Sequence, residues 1–111
     1  MKMTKEELGD DVLKVTLQGS FDIAGASEVD MPFAVISGSR RKVIVDFGGV
    51  EFLASIGVRV LVKAARAIGN KGGKMALFGA GEAARKVLAS TGADTIISVT
   101  DDEAAAIAAV T

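Results

Sequence analysis

The residues best placed to do chemistry lie in one stretch, Asp46-Phe47-Gly48-Gly49-Val50-Glu51-Phe52-Leu53-Ala54-Ser55-Ile56-Gly57. A near-continuous apolar run ends in a carboxylate, a Gly pair follows, and Ser55 stands at the mouth of a segment with helical periodicity. A Ser in that place has two readings. It is a common N-cap, its hydroxyl accepting a bond from an N–H of the first turn. The same place suits an added phosphate, because the first amides of a helix lack helical acceptors and carry a partial positive charge. Arg59 lies four residues on, on the same helix face, where it can pair with a phosphoserine. As a nucleophile Ser55 is poorly equipped. The chain has no His to serve as its base, and Leu53 stands where a Gly-x-Ser-x-Gly elbow needs its first Gly. These residues point to binding and away from an enzyme.

A second candidate is Gly79-Ala80-Gly81-Glu82-Ala83-Ala84, which matches G-x-G-x-x-A between a predicted strand and a predicted helix. Asp101 follows the next strand, where a ribose-binding acid would stand. The chain is short for the two nucleotide-binding halves of a dinucleotide fold, and Glu82 would bring a carboxylate to the pyrophosphate. The simpler reading is a Gly-rich turn whose Glu82 favours the helix dipole. Asp22, Asp46 and Glu51 would suit Mg²⁺ if they converged. Their spacing follows no metal motif, so caps and turns are expected of them, and Asp101-Asp102-Glu103 reads as helix-start chemistry. No cofactor and no metal are expected.

The composition narrows the choice further. The chain has 111 residues, half of them hydrophobic, which predicts one folded domain over 1–111 with its own core. Thirteen basic and fourteen acidic residues leave a net charge of −1, with no basic excess for nucleic acid. There is no Cys, hence no disulfide or thiolate site. The polar start is unlike a signal peptide, and no apolar run approaches a membrane span of about 18 residues, so a cytoplasmic location is expected.

Those residues must be positioned by a definite order of elements. Leu13, Val15 and Leu17 alternate with polar residues and predict a strand, with residues 2–8 as the first arm of a hairpin across Gly9-Asp10-Asp11. Ala26, Val29, Phe33 and Ile36 predict a helix over 22–38, capped by Asp22 and kinked or restarted at Pro32. Residues 43–47 read as a strand covered on both faces and broken at Gly48-Gly49. Residues 56–69 read as a helix with Arg59, Lys63 and Arg66 on a narrow outer stripe. A strand at 75–78, a helix at 82–91, a strand at 96–99 and a helix from a Thr100–Glu103 capping box to Val110 complete the chain. The order predicts an α/β fold: a single-layer mixed sheet of four to five strands, partly parallel with an antiparallel edge, and about four helices.

The stretch Asp46–Gly57 resembles the STAS family, the sulfate-transporter and anti-sigma-factor-antagonist domain. The free-standing bacterial members carry a pattern like D-[FL]-x-G-V-x-[FY]-[LIM]-[DA]-S-x-G, and this chain reads D-F-G-G-V-E-F-L-A-S-I-G. Leu17–Asp22, Lys71–Met75 and Leu88–Asp94 are similar to three further family features, so the resemblance spans residues 17–94. It implies an anti-sigma factor antagonist whose unphosphorylated form binds an anti-sigma factor that is also a serine kinase. Phosphorylation of Ser55 would break that complex, and a serine phosphatase would restore it. The partner surface implied is Asp22, Ala54, Ser55, Ile56, Gly57 and Arg59, on a monomer or weak dimer. Ala54 and Ile56 depart from the common D-S-[ST]-G. Two other readings stay open: a module binding a nucleotide or anion, and an unphosphorylated scaffold or lipid-transport partner.

Overall fold

The computed structural model describes residues 1–111. Strands β1 (Lys2–Glu7) and β2 (Val12–Phe21) form the antiparallel hairpin. Its turn puts Asp10 and Asp11 at φ of 62° and 63°, the mirror-image turn whose twist matches paired strands and which Asp tolerates. Helix α1 (Ile23–Ser39), β3 (Lys42–Leu53), α2 (Ser55–Asn70), β4 (Lys74–Phe78), α3 (Glu82–Ser90), a 3₁₀ turn (Ala93–Thr95), β5 (Ser98–Thr100) and α4 (Glu103–Val110) follow. The sheet order is β1-β2-β3-β4-β5, and every pair after the first is parallel. The five strands and four helices are the α/β architecture expected of the sequence.

The strand period of two explains where the core sits. Leu13, Val15 and Leu17 of β2, Val43, Val45 and Phe47 of β3, and Met75 and Leu77 of β4 enter the larger cluster, with Val29, Phe33, Val58 and Leu61 from α1 and α2. Val12, Ile44, Ala76 and Phe78 face the other way and meet Ala106 and Val110 of α4. β3 is therefore apolar at consecutive positions because helices cover both its faces. Small residues on α4 allow it close to the sheet. The far end of the contact is tied by Lys14, whose Nζ lies 2.6 Å from Glu103 and 5.9 Å from the centre of the Phe78 ring.

Four local expectations need correction. β3 does not stop at Gly48-Gly49 but runs on to Leu53. Its pairing with β2 steps from Thr16↔Asp46 to Gln18↔Gly49 and from Gly19↔Val50 to Ser20↔Phe52, so β3 carries extra residues at two irregularities. Glycines at such a place permit a bulge instead of ending the strand. Helix α1 passes through Pro32 without a break, held by the buried Val29, Phe33 and Ile36 on either side. β5 begins at Ser98, because the 3₁₀ turn takes the chain as far as Thr95. Asp102 caps α4, accepting from Ala105 N at 2.8 Å, while Thr100 Oγ1 donates to the Leu77 carbonyl at 3.0 Å.

The end of α1 is fastened to the edge strand by Arg40, whose guanidinium grips Glu7, with Nη2 at 2.7 Å from Oε1. That hydrogen bond holds the Glu7 carboxyl below its ordinary pKa. A lowered acid pKa adds stability above the unfolded value, and that stability disappears as pH falls through the folded value. Glu7→Gln should therefore lower the melting temperature slightly at neutral pH. The gap from the parent should close in acid, where both states carry a protonated Glu7. Melting curves across pH check this, and a gap that widens in acid would contradict it.

Candidate functional site

Phe21 and Leu53 end adjacent parallel strands in register, and Ala54 N donates to the Phe21 carbonyl at 3.0 Å. Helices α1 and α2 consequently start side by side at the carboxyl ends of β2 and β3, the place where open α/β sheets carry their sites. Asp22 caps α1 as expected: its Oδ1 accepts from Gly25 N at 2.8 Å. Both first turns press on the end of β2. A Cβ on Gly25 would overlap the Ser20 carbonyl oxygen. One on Gly57 would lie 2.7 and 2.9 Å from ring carbons of Phe21 and 2.9 Å from its carbonyl oxygen. Phe21 is fully buried, with its ring 6.3 Å from that of Phe47.

Ser55 is the first residue of α2 and not its cap. The cap position belongs to Ala54, in extended backbone (φ −92°, ψ 163°) and without a capping side chain. The N-cap reading of Ser55 is thus corrected by one residue, because a cap needs extended dihedrals and Ala54 still follows the line of β3. Gly57 N and Val58 N both donate to the Ala54 carbonyl, at 3.0 and 3.1 Å. The amides of Ser55 and Ile56 have no helical acceptor. The Ser55 side chain is exposed, and so is Arg59 one turn on. Lys63 and Arg66 continue that exposed stripe, while Val58, Leu61, Ala65 and Ile68 are buried. Gly57 is also buried, so it seats the surface on Phe21 and does not present itself to a partner.

Beside Ser55 a groove of about 310 Å³ runs between α1 and α2, with Ile23, Ala26, Asp30, Ile56, Arg59 and Lys63 among its walls. Ile23 is 78% exposed, and Phe52, three residues before Ser55, is 56% exposed. Sequence reasoning missed both. An apolar residue next to a cap or in a strand reads as core. The available signal was that Ile23, Met31 and Val35 fall off the Ala26–Val29–Phe33–Ile36 face of α1.

The remaining candidates are used within the fold. Asp46 Oδ1 accepts from Gly48 N at 2.9 Å and braces the bulge. Glu51 is exposed, and no three His, Cys, Asp or Glu side chains come together as metal ligands. Gly79, at φ 77°, turns the chain out of β4, and Gly81 caps α3. Asp101 is paired with Arg85 Nη2 at 2.7 Å, so the acid of the dinucleotide reading holds α3 to the start of α4. No helix is long and apolar enough to cross a membrane.

Comparisons with known proteins give the family and relatives of the same fold. A family model described as the STAS domain matches residues 3–106. BtrV of Bordetella bronchiseptica, provisionally named an anti-sigma factor antagonist, is 28% identical over 98% of this chain and 94% of its own. The crystal structure of an anti-sigma factor antagonist from Mycobacterium paratuberculosis superposes with a TM-score of 0.86 at 26% identity, covering 98% of this chain and 92% of the other. The anti-sigma factor antagonist SpoIIAA in its unphosphorylated form shares the fold, with a TM-score of 0.73 at 17% identity over 92% of this chain and 90% of its own.

The geometry separates residues that build the site from the one it displays. Gly57→Ala should lose about 1–3 kcal/mol, since Phe21 cannot yield to a new methyl without shifting backbone. Asp22→Ala should lose about 1 kcal/mol with its cap. Ser55→Ala should stay within about 0.5 kcal/mol of the parent, as for an exposed side chain away from structural contacts. Urea denaturation of the three variants checks the order, and a large loss at Ser55 would contradict it.

Proposed function

The chain belongs to the STAS domain family, and from that premise we propose that it is an anti-sigma factor antagonist switched by phosphorylation of Ser55. In this reading the unphosphorylated form binds an anti-sigma factor that is also a serine kinase, and a serine phosphatase reverses the modification. The chain is substrate and ligand, and no catalysis is asked of it. One observation carries the reading: Ser55 stands exposed as the first residue of α2, at the strand ends, with Gly57 of the same turn seated on Phe21. The family membership, the names of BtrV and the Mycobacterium protein, and the existence of SpoIIAA structures in both phosphorylated and unphosphorylated forms support it.

Ser55 can take a phosphate without loss of the fold. Its side chain is outside the core, and negative charge is favourable at a helix start. The effect falls on the complex. A phosphoserine brings about −1.5 to −2 charges, and burying them against a partner without matched donors costs several kcal/mol. A second reading, an unphosphorylated scaffold, draws on Ala54 and Ile56, which replace the polar neighbours common around the phosphoacceptor.

Incubation with the cognate kinase and ATP, followed by mass spectrometry and titration calorimetry, decides between the two. We expect modification at Ser55, an unchanged circular dichroism spectrum, and at least about a hundredfold weaker binding to the anti-sigma factor, which is about 2.8 kcal/mol. Ser55→Ala should bind constitutively. Modification at another hydroxyl, or undiminished binding of the phosphorylated chain, would refute the switch.

A further inference from the structure

The two helices that meet at Ser55 sort their charges. α1 carries only acids, Glu28 and Asp30, and α2 carries only bases, Arg59, Lys63 and Arg66. Both acids are already engaged: Asp30 Oδ1 accepts from Lys63 Nζ at 2.8 Å, and Glu28 faces the amino group of Met1. Arg59 and Arg66 have no carboxylate partner in the chain. They lie on one exposed side of α2, so a basic rim extends for about 10 Å. The groove beside it has buried Ala26 and Val60 in its floor, half-buried Ile56 on one wall and exposed Ile23 on the other.

Resting on the reading of the Ser55 face as a partner surface, we propose that this groove receives an acidic amphipathic helix of the partner protein. Its apolar side would lie on Ile23, Ile56 and Val60, and its carboxylates would meet Arg59 and Arg66. Helices dock into apolar grooves through anchors one turn apart, a pattern that suits a groove walled by two helices. A second copy of this chain fits badly. Its α2 would add three more bases, and the acids of its α1 are already paired. The proposal also gives the switch a chemical basis. A phosphate on Ser55 stands one turn before Arg59, neutralises that cation and repels the incoming carboxylates. Ile56, where the family pattern commonly has Ser or Thr, extends the apolar wall of the groove.

The probe is a fluorescently labelled helical peptide of Leu and Glu, about 18 residues long so that it holds a helix, with a Leu and Lys counterpart as control. The full chain should bind the acidic peptide and not the basic one, with amide resonance shifts centred on Ile56, Arg59 and Val60. Arg59→Glu and Arg66→Glu should each weaken binding at least about tenfold, or 1.4 kcal/mol. Arg59→Gln, which adds no new charge, should weaken it less but in the same direction. Binding should also fall as added salt shortens the screening length from about 30 to about 8 Å. Equal binding of the two peptides, shifts elsewhere on the molecule, or a concentration-dependent dimer through the same residues would overturn the proposal. The peptide assay uses no anti-sigma factor. Its failure beside intact anti-sigma factor binding refutes this proposal alone, and its success without such binding refutes the antagonist reading and leaves the groove's preference for an acidic helix standing.

Discussion

The close approach of Gly57 to Phe21 is the contact on which the site depends. Two helices have to begin at the ends of two neighbouring strands within the width of one residue. That is possible because the first turns of both helices lack a Cβ where they press on the end of β2, at Gly25 and at Gly57. Phe21 then serves three purposes. Its ring fills the core against Phe47, its face supports Gly57, and its carbonyl accepts the Ala54 amide that ends the β2–β3 pairing. With those contacts made, the position of Ser55 follows from the fold. It needs no hydrogen bond of its own to be held there, and the residue stays exposed.

The arrangement divides labour between α1 and α2. Asp22 satisfies a free amide of α1, so that helix start is closed. Ala54 cannot do the same for α2, so that helix start stays open next to an exposed hydroxyl. Negative charge is therefore compatible with the second helix and unneeded by the first. The charge sorting along the same helices extends the asymmetry. Lys63 and Asp30 bind the pair together, and the remaining arginines face outward without partners.

Much of this was legible in the sequence, and the failures have physical causes. The apolar run Val43–Phe47 announced a strand covered on both faces, and the polar stripe of Arg59, Lys63 and Arg66 announced the outer side of α2. Asp22 could be read as a cap because a short carboxylate before an apolar period has few other uses. Gly48-Gly49 was misread because the same residues that end a strand also permit a bulge, and only pairing with Gln18 and Gly19 distinguishes the two. Thr100 was misread because its hydroxyl found the Leu77 carbonyl, a partner 23 residues away that no local pattern reveals. The start of α2 was placed one residue late for a related reason: the cap is set by backbone dihedrals, and Ala54 gave no side-chain clue. The exposure of Ile23 was readable from its place off the buried face of α1, whereas that of Phe52 was not, since exposure at a strand end depends on what does not pack there.

A phosphate on Ser55, as proposed above, would change the surface and leave the fold in place. The most direct measurement is a residue-by-residue comparison of backbone amide resonances in the unphosphorylated and phosphorylated chain. Shifts are expected only at the starts of α1 and α2 and the end of β3, around residues 22–26 and 52–60, with the amides of β2, of β4 and of β3 before Phe52 unmoved. Shifts spread through the sheet, or loss of dispersion across the spectrum, would contradict that expectation and make phosphorylation a folding switch.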